Sequence, residues 1–193
     1  MEIKSFVKIY DDFVPYKNLS MLLKYLNTVK FEPAEVVADS KNKFQTVNKK
    51  IRSVLKKDMF NCTESLTETH WHNYLRFIFR KGLDNYFNEF RPHLTYGYKY
   101  IKEIQILKYE NTDFYTWHSD HYAKIPRTMS CIFLLNNDYE GGNLTFSNPD
   151  GSGEWQVEVK PNRLIVWPSN FLYPHSVKPV TKGVRYSIVS WAL

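Results

Sequence analysis

Arg163-Leu-Ile-Val-Trp167, Tyr173-Pro-His-Ser-Val-Lys178 and Val184-Arg-Tyr-Ser-Ile-Val-Ser-Trp191 are three short runs rich in β-branched and aromatic residues, set apart by Pro, Ser, Asn and Gly. Such residues fit the pleated, half-buried surface of a strand, and the breakers between them suit tight turns. The same texture recurs upstream in Tyr100–Tyr109, Phe114–His118, Thr128–Leu135, Asn143–Phe146 and Gln156–Val159. Eight short strands at this spacing predict a β-sandwich or jelly roll.

Ahead of Tyr98 the pattern differs. Leu19, Leu22, Leu23 and Leu26 form an apolar stripe of helical spacing over Asn18–Leu26. A longer helix is predicted from about Thr67 to Phe90, where Trp71, Tyr74, Leu75, Phe77, Ile78, Leu83, Tyr86 and Phe87 recur. Ser5–Tyr10 reads as a strand, and residues 31–56 as polar and irregular with a short strand near Glu35–Ala38. Helices gathered ahead of a strand-rich half pack on one face of it. The expectation is an α+β, mainly β chain forming one domain over residues 1–193, with mixed support through 98 and the jelly-roll core from 99 onward.

The 193 residues suit a single sizeable core, and the 17% aromatic content points to a well-packed interior or an aromatic-lined cleft. No apolar stretch approaches the length that spans a bilayer, and Met1–Tyr10 lacks the apolar core of a signal peptide. A cytoplasmic protein with no membrane partner is expected. Two cysteines, Cys62 and Cys131, are too few for a disulfide framework. The net charge of +6 is spread along the chain, densest at Lys41–Lys57 with seven Lys or Arg. That run reads as a solvated basic loop in preference to a nucleic-acid surface.

Trp117-His118-Ser119-Asp120 carries the chemistry, together with Pro174-His175 and Arg185. Side chains two apart on a strand share a face, so His118 and Asp120 are placed to ligate one ion. His175, from a distant strand, completes two imidazoles and one carboxylate. That set suits Fe(II) and leaves coordination positions open, whereas a closed zinc site needs a further Cys or His. His121 points away if the strand continues. Arg185, ten residues after His175 across a turn at Thr181-Lys182-Gly183, shares a face with Ser187, Val189 and Trp191. An inward arginine in a small barrel is costly unless it meets an anion; its fork matches a carboxylate, and the Ser187 hydroxyl adds a donor.

Residues from about Gln105 onward resemble the double-stranded β-helix (jelly-roll) core of the Fe(II)/2-oxoglutarate-dependent oxygenases, above all the prolyl-4-hydroxylase-like branch with its PKHD-type and hypoxia-type members. The resemblance is carried by Leu107-Lys-Tyr109, Tyr115-Thr-Trp-His118-Ser-Asp120 and Arg127-Thr-Met-Ser130-Cys-Ile-Phe-Leu-Leu-Asn136. It continues through Tyr139-Glu-Gly141-Gly142-Asn-Leu-Thr-Phe146, Arg163-Leu-Ile-Val-Trp167 and Pro174-His175 to Arg185-Tyr-Ser.

The resemblance implies His118, Asp120 and His175 as metal ligands. It also implies Arg185 as the residue that binds the distal carboxylate of 2-oxoglutarate, with Ser187 and Tyr109 beside the co-substrate. Leu134 falls where hypoxia-type relatives place a tyrosine on that carboxylate, a role left here to Tyr109 or Ser187. Tyr115, Arg127 and Trp191 are pocket candidates. The implied cofactors are Fe(II) and 2-oxoglutarate, with ascorbate as reductant, and dioxygen as the oxidant. The implied reaction is hydroxylation of a prolyl residue in a protein or peptide, with succinate and CO2 as co-products. A free amino acid or other small molecule is the alternative substrate. A nucleic-acid demethylase of the AlkB type ranks lower, because Trp191 stands where such enzymes carry a second arginine. A non-catalytic cupin-like module would show a damaged ligand set, and none is seen.

Overall fold

The computed structural model of the chain describes residues 2–37, 45–59, 65–90 and 97–193. After a 3-10 turn at Ile3–Phe6 come β1 (Lys8–Tyr10), α1 (Tyr16–Leu26), β2 (Glu32–Pro33), β3 (Val36–Val37), β4 (Gln45–Thr46), β5 (Arg52–Ser53), β6 (Leu55–Asp58) and α2 (Leu66–Asn88). The strand-rich half holds β7 (Ile101–Tyr109), β8 (Phe114–His118), β9 (Met129–Leu134), β10 (Tyr139–Gly141) and β11 (Leu144–Ser147). It ends with β12 (Glu154–Gln156), β13 (Arg163–Pro168), β14 (His175–Val177), β15 (Val180–Gly183) and β16 (Arg185–Ala192).

Two antiparallel sheets make the jelly roll. The larger runs β1-β13-β9-β16-β7-β6-β2, the smaller β12-β11-β14-β8-β5. Alternation along each strand sorts side chains into two cores. Leu164 and Val166 of β13, Cys131 and Phe133 of β9, Ile104 and Ile106 of β7, and Ile188 of β16 face outward. They are covered by Leu19, Leu22 and Leu26 of α1 and by Trp71, Leu75, Ile78, Phe79 and Leu83 of α2. Ser65 caps α2 by accepting the Glu68 amide, and Gly82 lets the helix sit close, since a Cβ there would collide with Leu164. The alternate residues Ile165, Trp167, Ile132, Leu134, Leu107, Tyr109, Val189 and Trp191 face inward and meet Leu144, Phe146 and Val177 of the smaller sheet. The site lies in this second core, between the sheets. Among the described residues no helix is long and apolar enough to cross a membrane.

Asn162 ties the N-terminal segment to the barrel. It is fully buried at a positive φ of 62°, and its Oδ1 accepts from Val14 N at 2.9 Å while its Nδ2 donates to Val14 O at 2.7 Å. Asn162→Ala strands both Val14 backbone groups and places a Cβ residue without a compensating side-chain bond in the left-handed region. Each unsatisfied buried group costs about 1–3 kcal/mol, so a loss of about 2–4 kcal/mol is expected in denaturant unfolding. A loss below about 0.5 kcal/mol would contradict the anchoring role.

Several expectations shift in detail. Residues 5–10 split into the 3-10 turn and β1, and the run expected at Gln156–Val159 begins earlier, at Glu154. Strands β1, β2, β5 and β6, all ahead of residue 99, extend the two sheets. The turn expected at Thr181–Gly183 pairs with the segment around Gly141 as a two-stranded ladder of β10 with β15, which Gly141 and Gly183 permit at φ of 75° and 78°. The basic run is a solvated turn at Lys49 and Lys50, both exposed, but not beyond them. Its last part builds β5 and β6; Arg52 is buried, Lys56 pairs with Asp58 at 2.6 Å and Lys57 with Glu68 at 3.0 Å. Lys41, Lys43 and Cys62 lie outside the described residues; Cys131 is a buried free thiol.

Candidate metal centre

His118 ends β8 and His175 begins β14, and the ladder pairs them directly. Their rings lie 4.2 Å apart, centroid to centroid. Asp120 follows in the bend just past β8 rather than on the strand itself. The bend still delivers its carboxylate to the same point: Oδ2 lies 3.5 Å from His175 Nε2 and Oδ1 3.8 Å from His118 Nε2. One donor atom from each of the three falls within 4.8 Å of the others.

Outer partners fix these side chains. His118 Nδ1 lies 2.8 Å from Thr116 O and His175 Nδ1 3.0 Å from Tyr173 O. A carbonyl only accepts, so each Nδ1 carries the proton and each Nε2 lone pair is turned to the shared point, as a ligating imidazole requires. Ser130 Oγ donates to Asp120 Oδ2 at 2.7 Å and is bonded in turn to Ser169 Oγ. His121 turns to Arg127 O and takes no part.

Burial drives the His118 imidazole well below its ordinary value; His175 adds to this, and the Asp120 carboxylate opposes it. Burial alone would raise Asp120, yet His175, His118, Arg127 and the Ser130 hydroxyl together hold it below the usual carboxylate range. The sign follows by linkage. Below about pH 6.5 the unfolded chain protonates His118 and the fold does not, so stability present above that pH is lost on acidification. Asp120 adds a loss only below about pH 4. The metal-free protein is therefore expected to lose stability progressively from about pH 6.5 downward, with a shallower slope in His118→Gln. A wild-type profile flat to pH 4 would contradict this environment.

On the larger sheet Arg185 opens β16 and is 1% exposed. Its Nη1 donates to Ser187 Oγ at 2.7 Å, and its guanidinium carbon lies 4.9 Å from the centre of the Tyr109 ring. Nε and Nη2, both buried, have no hydrogen-bond partner among the described residues. Tyr109 is itself fully buried and pairs with Arg185 in the ladder. Gly142 makes room: a Cβ there would stand 2.9 Å from Arg185 Cδ. Burial raises the Tyr139 phenol while Arg185 pulls it down, which puts this hydroxyl beside the guanidinium too.

Of the remaining candidates, Tyr115 stacks on His118 with 3.6 Å between ring centres, and Trp191 lines the same cleft. Arg127 stands beside Asp120 and Trp191, two residues of that cleft. Its guanidinium stacks on Trp191 at 3.7 Å, donates to Glu103 at 2.9 Å and approaches Asp120 at 3.9 Å. Sequence reasoning missed Tyr139, Gly142, Glu103, Trp167 and Arg52. Trp167 meets His175 edge-on at 5.1 Å, and its place on the inward face of β13 was readable from period two. Arg52 lines the cleft from a segment taken for a loop.

The donor set fits Fe(II): two imidazoles and a carboxylate. The unpartnered Nε and Nη2 of Arg185 fit a carboxylate, the group a buried guanidinium lacks here.

Comparison with known proteins agrees. The profile of the 2OG-Fe(II) oxygenase superfamily matches residues 104–193. A PKHD-type hydroxylase of Synechococcus sp. (strain CC9902) is 37% identical over 95 residues, covering 47% of this chain and 41% of that protein. One of Alteromonas mediterranea is 31% identical over 105 residues, covering 54% and 41%. The chain thus spans about two-fifths of the length of these curated relatives. In fold it is similar to a prolyl hydroxylase of Trichoplax adhaerens solved with a hypoxia-inducible-factor peptide (TM-score 0.73, 17% identity, 97% of this chain and 83% of that one). It is also similar to a Pseudomonas putida prolyl-4-hydroxylase (TM-score 0.69, 20% identity, 97% and 92%). Residues 104–193 thus resemble the 2OG-Fe(II) oxygenase superfamily in sequence, and nearly the whole chain is similar in fold to prolyl hydroxylases.

Proposed function

We propose that the protein is a 2-oxoglutarate-dependent hydroxylase acting on a prolyl residue of a protein or peptide. The observation that carries this reading is the convergence of three donor atoms within 4.8 Å in a cleft shared with a buried arginine that has two unpartnered N–H groups. His118, Asp120 and His175 would hold the iron through Nε2, a carboxylate oxygen and Nε2. Arg185 would take the distal carboxylate of 2-oxoglutarate through its free donors. Ser187, accepting from Nη1, keeps its own proton to donate, and Tyr109 supports the guanidinium from below. Leu107, Ile132, Leu144, Val189 and Trp191 line the cleft and keep water out. When bound, Fe(II) would activate dioxygen, the oxidant, with 2-oxoglutarate supplying two electrons: one oxygen atom ends in succinate as CO2 leaves, and the other enters a substrate C–H bond. Ascorbate enters this reading as the reductant that maintains ferrous iron.

The prolyl substrate is supported by the neighbours in fold, both prolyl hydroxylases, one solved with a peptide. The test is incubation of the protein with Fe(II), 2-oxoglutarate and proline-containing peptides. A mass gain of one oxygen atom on proline is expected. Oxygen confined to other residues, to free amino acids or to methylated nucleobases would overturn the prolyl assignment while leaving the oxygenase reading in place.

A further inference from the structure

The cleft holds a second buried arginine, which the metal centre does not use. Arg52 opens β5 on the smaller sheet, the sheet opposite Arg185, and is 7% exposed. Its guanidinium carbon lies 4.8 Å from the centre of the Tyr115 ring, which in turn stacks on His118. Nη1 donates to Glu35 O at 3.1 Å and Nη2 reaches Gln105 Oε1 at 3.5 Å; Nε is buried without a partner. Both acceptors are neutral.

The acids nearby are engaged elsewhere. Asp113 accepts from the Ser53 hydroxyl at 2.6 Å and the Glu110 amide at 2.8 Å. Glu110 pairs with Lys108 at 2.7 Å, Glu35 with Lys56 at 3.6 Å, and Asp120 accepts from Ser130 at 2.7 Å. Among the described residues, Arg52 is left as a buried cation whose bonds all run to uncharged groups. A guanidinium in that position is costly unless an anion completes it, and its fork matches a carboxylate.

We propose that Arg52 receives a carboxylate carried by the substrate, so that the two buried arginines sort two acids: Arg185 the co-substrate, Arg52 the molecule to be oxidised. This rests on the hydroxylase reading above, which assigns Arg185 to 2-oxoglutarate. The carboxylate belongs either to an acidic side chain near the target residue of a peptide or to the main-chain carboxylate of a free amino acid.

The test uses protein loaded with Mn(II) and saturating 2-oxoglutarate, followed by tryptophan fluorescence. One arm titrates end-capped, otherwise uncharged proline peptides carrying Asp at successive positions against the same peptides carrying Asn. The other titrates free L-amino acids, proline among them, against their amides. A charge-assisted pair predicts at least about ten-fold tighter binding of the acid than of its amide in one arm, and that arm identifies the source. Arg52→Gln is expected to bring this ratio to about one, and Arg52→Lys to keep part of it. Because the readout is a ratio within one protein, a general loss of stability does not mimic it. Equal binding of acids and amides in both arms, including no binding at all, overturns the proposal, as does a ratio unchanged in Arg52→Gln. Succinate formation by the Fe(II)-loaded protein is read in parallel: its absence would sink the hydroxylase reading, while the binding ratio still decides the role of Arg52.

Discussion

Arg185→Met is expected to raise the 2-oxoglutarate concentration needed for half-maximal turnover by about a hundred-fold while leaving the ligand-free protein no less stable. The two halves have one cause. Arg185 is buried with Nε and Nη2 unpartnered, so without co-substrate it is an incompletely paired charge. Replacing buried ionic groups by apolar ones of similar volume is often neutral or stabilising by about 1–4 kcal/mol. The bond to Ser187 and the stacking on Tyr109 pull the other way, and for that reason only the direction is set. With co-substrate, two charge-assisted bonds at about 1.5–3 kcal/mol each are lost, which at about 1.4 kcal/mol per decade is on the order of a hundred-fold or more. Thermal unfolding with and without 2-oxoglutarate separates the effects, since a ligand stabilises only the fold it binds. A variant that unfolds several kcal/mol more easily without ligand, yet keeps its response to 2-oxoglutarate, would make Arg185 a structural residue.

His118→Ala should abolish turnover. Loss even of an outer partner to a metal ligand costs about 10–100-fold, so loss of a ligand should exceed about 100-fold in succinate formation at limiting Fe(II). The fold is expected to survive, because His118 sits at the end of β8, and the ladder with β14 continues through Tyr115 and Val177. Succinate formation, metal content and far-ultraviolet circular dichroism on the same preparation check this. Turnover equal to wild type would remove His118 from the centre.

How much of this the sequence could show depends on range. The runs of β7, β9, β13 and β16 are long, apolar and alternating, and they lie within one or two residues of where the pattern places them. The ladder of β10 with β15 was not legible: three or four residues each, Gly-rich, and held together by partners about forty positions apart. Strands β5 and β6 were hidden for a different reason. Their Lys and Arg residues look solvated, yet Lys56 and Lys57 are neutralised by Asp58 and Glu68, and the Arg52 guanidinium lies over the Tyr115 ring. The candidate ligands and Arg185 were readable because their chemistry is unusual for a barrel interior. The polar groups that steady them, Ser130, Ser169 and the carbonyls of Thr116 and Tyr173, carry no signal of their own in the sequence; only the fold brings them near.

In the proposed reaction, two imidazoles and a carboxylate take one cation and thereby prepare a seat for a dicarboxylate. Anaerobic calorimetric titration with Fe(II), then with 2-oxoglutarate, measures this directly. One iron per chain is expected, lost in His118→Ala, with 2-oxoglutarate binding that requires both the iron and Arg185. Binding of 2-oxoglutarate that is indifferent to iron, or iron uptake undiminished in His118→Ala, would contradict it.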